Sequence, residues 1–293
     1  MEYCEYPVHA WSRYRHHLRR QCPRKAQLYC CEARKGADSS SENPYRLLHD
    51  LRRRIPLKTY LNRIFDQLVR SIFYQYEDEN AEISSGKLRE RLQHRFDREL
   101  ELMINGVAAK DHQVYFISEL QDRVCNISAL IAGAGKYMDT LCISFDRELR
   151  QLISATPYLF RRDIASPLAV HINDLCCYCA PLFALEKNGE LWIIENNCDE
   201  PSALLHKFHA VNCLGREPHL IRSFAYCRES GDFTEAGIGL NVSETLRRIS
   251  EESAVWAELT ALPPDEVTAD PEHCPECEFN FFCTNIFKLE KER

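Results

Sequence analysis

Three cysteines crowd the segment His273-Cys274-Pro275-Glu276-Cys277-Glu278-Phe279-Asn280-Phe281-Phe282-Cys283. Two residues separate the first pair and five the second. A tight turn stiffened by Pro275 aims three thiolates at one point, which is a metal or cluster pattern. Zinc and cubane iron–sulfur sites generally take four ligands, so a fourth donor must come from elsewhere. His273 is an awkward choice because it is adjacent to Cys274. Cys177-Tyr178-Cys179 reads as strand, where alternate side chains share a face without making a knuckle. From these residues alone the fourth donor stays open.

A second set lies upstream. His206 and His209 are three apart in Leu204-Leu205-His206-Lys207-Phe208-His209, so they share a helical face and suit a transition metal. Without a further donor in the pattern, half-buried histidines are the plainer reading. His16-His17 and Arg52-Arg53-Arg54 take the same plain reading, a solvated face.

Apolar residues at Leu57, Tyr60, Leu61, Ile64, Leu68, Ile72 and Tyr76 recur at three and four, predicting an amphipathic helix. A second helix follows the cap-like Ser84-Ser85, with Leu88, Leu92, Phe96 and Leu100 on one stripe. Residues 10–35 read as helical with a break at Pro23, and 36–44 as a polar loop. Residues 118–155 predict one or two helices interrupted near Gly133 and Gly135. The period then changes to that of strands at 168–173, 176–185 and 190–195, with Lys187-Asn188-Gly189 as a hairpin turn. Pro201 opens a helix to about Leu214, a strand covers 219–227, and 243–262 is a capped helix. The order is α/β.

The chain has 293 residues, 45% hydrophobic and 28% charged, which excludes collagen-like and low-complexity classes. No run of eighteen apolar residues offers a membrane span, and the N-terminal segment lacks the apolar stretch of a signal peptide. The expectation is a cytoplasmic protein. In a reducing compartment its 15 cysteines are not a disulfide framework; Cys125, Cys142, Cys176, Cys177 and Cys179 read as small buried hydrophobes. Residues 1–63 carry 14 Lys and Arg against 6 Asp and Glu, whereas the whole chain has 37 against 44. Such a basic third is compatible with a polyanion-facing surface or with internal pairing.

The order helix–three strands–helix–strand, the opening Cys22-Pro23-Arg24-Lys25-Ala26-Gln27-Leu28 and the C-x2-C-x5-C tail together resemble the RecB-like, iron–sulfur branch of the PD-(D/E)XK nuclease superfamily. That branch includes the AddB nuclease domain and CRISPR-associated adaptation exonucleases. The resemblance spans about residues 10–285. It implies one domain over 1–293, a restriction-endonuclease-like core of central mixed sheet flanked by helices. The N-terminal cluster arm would cover 1–56, an inserted helical region 57–165, the α/β core 166–262 and the cysteine tail 263–293. It also implies the fourth ligand: Cys22, Cys274, Cys277 and Cys283 would hold a 4Fe–4S cluster, with zinc as the alternative. Such a cluster would close the chain into a ring, and its binding would count as folding free energy.

The same resemblance implies an aspartate before the hairpin and an E/D-x-K on the next strand. Here Pro181-Leu182-Phe183 and Glu195-Asn196-Asn197 stand at those places, and Phe65 where a helix histidine is often found. Leu182 cannot hold a cation and Asn197 lacks the acid–base capacity of lysine, so Glu195 alone survives. Mg²⁺ or Mn²⁺ chemistry would need groups migrated from Asp174, Asp199, Glu200, His206 or Lys207. The expectation is therefore a non-cleaving nuclease-fold subunit that binds nucleic acid, through its basic third, or a protein partner in a DNA-processing or defence assembly. The alternatives are an active metal-dependent deoxyribonuclease using Glu195, and a zinc-stabilised scaffold.

Overall fold

The structure, a computed structural model, describes residues 10–36, 44–79, 84–105, 116–117, 126–150, 158–161, 168–172, 174–237, 239–274, 277, 279–280 and 283. In chain order these form β1 (Trp11–Ser12), α1 (Arg13–Gln21), α2 (Pro23–Gln27), a π-helical turn (Leu28–Glu32), α3 (Ala33–Lys35), α4 (Pro44–Arg52), β2 (Arg54–Ile55), α5 (Leu57–Glu79), α6 (Ser85–Ile104), β3 (Phe116–Ile117) and α7 (Ile127–Ser144). There follow β4 (Tyr158–Phe160), β5 (Leu168–Ile172), β6 (Leu175–Cys179), β7 (Phe183–Lys187), β8 (Glu190–Asn196), α8 (Glu200–Leu214), β9 (Ile221–Tyr226), β10 (Phe233–Ala236) and α9 (Val242–Ala261). The chain is α/β with mixed sheets. It divides into two compact units, one of Met1–Arg54, Ala169–Cys179 and Asn241–Arg293, the other of Ile55–Leu168 and Ala180–Leu240.

In the first unit, β6 lies between β1 and β5, and β1 runs parallel to it with Trp11 opposite Cys177. Ser12 caps α1 by accepting from the Arg15 N–H. Cys22 ends α1, its N–H bonding to the Leu18 carbonyl, and starts α2, where Pro23 fills a position that needs no N–H. One apolar cluster joins Leu18, Ala26 and Cys30 to Trp256, Leu259 and Val267; another joins Leu28, Ala33, Leu48 and Leu51 to Phe279. Both bring the beginning of the sequence against its end.

The second unit is built on a five-stranded sheet ordered β10-β9-β8-β7-β4. Strands β7 and β8 form an antiparallel hairpin in which Phe183 faces Ile194. Its turn holds Asn188 at φ 53° and Gly189 at φ 82°, the two left-handed residues a tight hairpin requires. Strand β9 is parallel to β8, the two connected through α8, while β4 pairs antiparallel with β7. Helix α5 is buried more widely than a single stripe: Phe65, Val69 and Phe73 are fully enclosed beside Leu61, Ile64 and Leu68. Phe73 packs against Phe145 and Phe183, tying the helices to the sheet.

Two sequence expectations need correcting. The apolar run 176–185 is not one strand: β6 ends at Cys179, β7 begins at Phe183, and the two belong to different sheets. Every residue from 176 to 185 is apolar by type, so no polar–apolar alternation marks the break. Helix α7 passes through Gly133 and Gly135 without interruption. Burial of Leu130, Ala134, Met138, Leu141 and Cys142 on one face outweighs roughly 1 kcal/mol of helix propensity lost at each glycine. The loop at 37–43, Cys125, Pro275 and the ends of the 118–155 region lie outside the described residues.

Candidate functional site

The cysteine pattern lies in the first unit. Cys22 is buried, and its sulfur accepts hydrogen bonds from the backbone N–H of Lys25 and of Asp270, each at 3.4 Å. The first bond caps α2; the second crosses 248 residues of sequence to a point four residues before Cys274. Arg24 strengthens that crossing: its backbone N–H donates to the Thr268 carbonyl, Nε to the Val267 carbonyl at 2.7 Å and Nη2 to that of Asp265. Nothing in the spacing of the Cys22-Pro23-Arg24-Lys25 segment marks Arg24 for this role. Its work is to fix the arm to the segment leading into the tail.

The tail turns repeatedly. The Cys274 N–H donates to Pro271, Cys277 to Cys274, Asn280 to Cys277 and Cys283 to Phe279, all through backbone carbonyls. Cys274, Cys277 and Cys283 are half-buried. The Cys283 thiol is pushed up to about 11: burial raises it most, the Arg24 guanidinium opposes, and Cys277, Cys22 and Cys274 raise it further as neighbouring thiolates. Among the described residues, no three of these four cysteines have sulfurs all within 4.8 Å of one another. His273 is half-exposed and turned to the Asp270 carboxylate at 3.1 Å.

The nuclease positions lie in the second unit. Leu182 is 3% exposed and belongs to the main core, its N–H donating to the Ile194 carbonyl. Phe65 is completely buried in that same core. Asn197 leaves β8 at φ 53°, a left-handed conformation that asparagine tolerates and a lysine would strain. The residue there serves the turn. Asp199 is engaged as the N-cap of α8, accepting from the Ser202 N–H at 3.0 Å. Glu195 is near the end of β8, half-buried, with its Oε2 3.9 Å from His206 Nε2. His206 is enclosed, and burial depresses its ring to about 4, partly offset by Asp199 and reinforced by His209, so it is neutral at physiological pH. Among the described residues, the donors grouped with Glu195 are the Cys198 sulfur and a His206 nitrogen, and no second carboxylate is in that group.

Another group sits beside this strand end. Asp66 accepts a forked pair of bonds from Arg228 and a third from Asn196 at 3.0 Å. Nothing in the spacing of the sequence marks this trio, since Asp66 is 130 residues from Asn196 and 162 from Arg228.

Several cations of the basic third are engaged internally. Arg15 is buried, donates to the Ala10 carbonyl and stacks over Trp256. Arg52 covers the Tyr29 ring, and Arg53 is 6% exposed. The run 52–54 is thus no solvated face, which corrects the plain reading. His16 pairs with Glu252 at 2.8 Å, and the same carboxylate accepts from the Trp11 indole. Among the described residues no helix is long and apolar enough to cross a membrane.

No family model, no curated protein and no solved structure matches this chain.

Proposed function

We propose that this protein is a cluster-stapled, non-cleaving member of the PD-(D/E)XK nuclease superfamily that acts as a binding subunit of a larger assembly. The observation that carries the reading is the hydrogen bond from the backbone N–H of Asp270, four residues before Cys274, to the Cys22 sulfur. Cys22, Cys274, Cys277 and Cys283 would hold a 4Fe–4S cluster. A tetrahedral zinc site draws its sulfurs to roughly 3.8 Å apart, given Zn–S bonds near 2.3 Å. A cubane gives each thiolate its own iron and so keeps the sulfurs wider. The cluster's chemistry in this reading is structural, binding energy that serves as folding energy.

The antiparallel β7–β8 hairpin and the parallel crossover through α8 to β9 support the superfamily reading, although the strand at 168–172 pairs in the three-stranded sheet and β4 stands in its place beside β7. Leu182 in the core and Asn197 in the turn support loss of cleavage. A protein partner is favoured over nucleic acid because the N-terminal guanidiniums of Arg15, Arg24, Arg52 and Arg53 are taken up inside their own unit.

Incubation of the purified protein with single- and double-stranded DNA in Mg²⁺ and in Mn²⁺ tests this. The expected result is no cleavage, and no DNA affinity that falls steeply with salt. Cutting that disappears in Glu195→Ala would overturn the reading in favour of an active nuclease.

A further inference from the structure

The connection from β8 into α8 carries a donor set that neither the nuclease resemblance nor the cysteine tail accounts for. Ligand atoms of Glu195, Cys198 and His206 all lie within 4.8 Å of one another. Local structure brings them together. Glu195 is the penultimate residue of β8, Asn197 reverses the chain in a left-handed turn, and Cys198 follows just before the Asp199 cap. His206 then projects from the second turn of α8 back toward the strand end.

His206 is the telling member. It is 1% exposed, and neither Nδ1 nor Nε2 has a hydrogen-bond partner among the described residues. A buried imidazole with both nitrogens unbonded is costly, and such a group calls for a specific explanation, a bound ion being one. The donors differ from those of the nuclease resemblance. A thiolate and an imidazole beside one carboxylate suit a borderline transition metal and disfavour Mg²⁺, which wants oxygen. Thiolate and carboxylate together carry two negative charges, matching a divalent ion.

We infer that Glu195, Cys198 and His206 form a binding site for a zinc-class divalent ion. The three protein donors leave a fourth position for water. Zinc–ligand bonds of 2.0–2.3 Å require the donors to close in by on the order of 1 Å, which the turn and the half-buried Cys198 side chain permit. Glu195 and Cys198 are half-buried, giving the ion its way in. On this account the strand end has exchanged a hard-cation site for a softer one, keeping Glu195 and recruiting the turn and helix.

The inference is independent of the cysteine tail. Equilibrium dialysis of the full-length protein against Zn²⁺, together with near-ultraviolet spectra of the Co²⁺-loaded form, tests it. Wild type and Cys213→Ser, which alters an exposed cysteine, should bind one more Zn²⁺ than Cys198→Ser, or bind it at least about 10-fold more tightly. The thiolate-to-cobalt band should vanish in Cys198→Ser while the iron content of the tail is unchanged. Glu195→Gln should weaken Zn²⁺ in the same direction, which keeps the test intact if Cys198→Ser fails to fold. Equal Zn²⁺ stoichiometry and affinity in wild type and the variants, or a cobalt spectrum indifferent to Cys198, would overturn the site.

Discussion

The corner around Cys22 and the strand end around Glu195 treat their polar groups in opposite ways. At the corner, backbone and guanidinium donors stitch residues 22–27 to 259–270, and the sulfurs sit where several chain segments converge. At the strand end, Leu182 lies in the core and Asn197 in a left-handed turn, while His206 is enclosed without a hydrogen bond among the described residues.

If the corner is a cluster site, its ligands dominate the stability of the first unit. Cys274→Ser should lower stability by several kcal/mol and abolish the iron absorption, as seen by thermal melting with visible spectroscopy. An unchanged melt would remove the contrast. In the second unit stability rests on packing instead. Phe183→Ala, which removes a fully buried ring between Phe73 and its neighbours, should cost about 3–5 kcal/mol by denaturant titration and leave iron content intact.

Subtler changes sharpen the comparison. Asp66→Asn weakens the forked pair with Arg228 and should cost about 1–3 kcal/mol in the second unit. Glu252→Gln should cost about 1–2 kcal/mol in the first, where the carboxylate serves both His16 and Trp11. Burial pushes the Glu252 carboxyl up, but His16, the Trp11 indole and Arg248 hold it below its ordinary value overall. A carboxyl depressed in the folded state contributes stability that is full above its unfolded value, about 4.3, and is lost as pH falls through the folded one. Acid titration of wild type should therefore show a loss that Glu252→Gln lacks.

The parts visible in the sequence are those with a local period or a local turn. Helix α5 announced itself by its spacing, and the β7–β8 hairpin by Asn188-Gly189. The split between β6 and β7 was hidden because every residue of 176–185 is apolar by type, which leaves no alternation to read, and the continuity of α7 because tertiary packing overrode two glycines. For the sites, Cys274, Cys277 and Cys283 were legible from spacing, while Cys22 was reachable through resemblance alone, being 252 residues from Cys274. His206 was offered both beside His209 on one helical face and among the groups that could join Glu195; the fold sets it by Glu195, together with Cys198, which no spacing marked. That contact crosses a strand–turn–helix connection, which no fixed period describes.

Iron and acid-labile sulfide measured in anaerobically purified wild type, Cys22→Ser and Cys176→Ser bear most directly on the clasp between the two ends of the sequence. The account predicts about four irons and four sulfides per chain in wild type and Cys176→Ser, and loss of both in Cys22→Ser. Full iron retained without Cys22, or zinc in place of iron throughout, would contradict it.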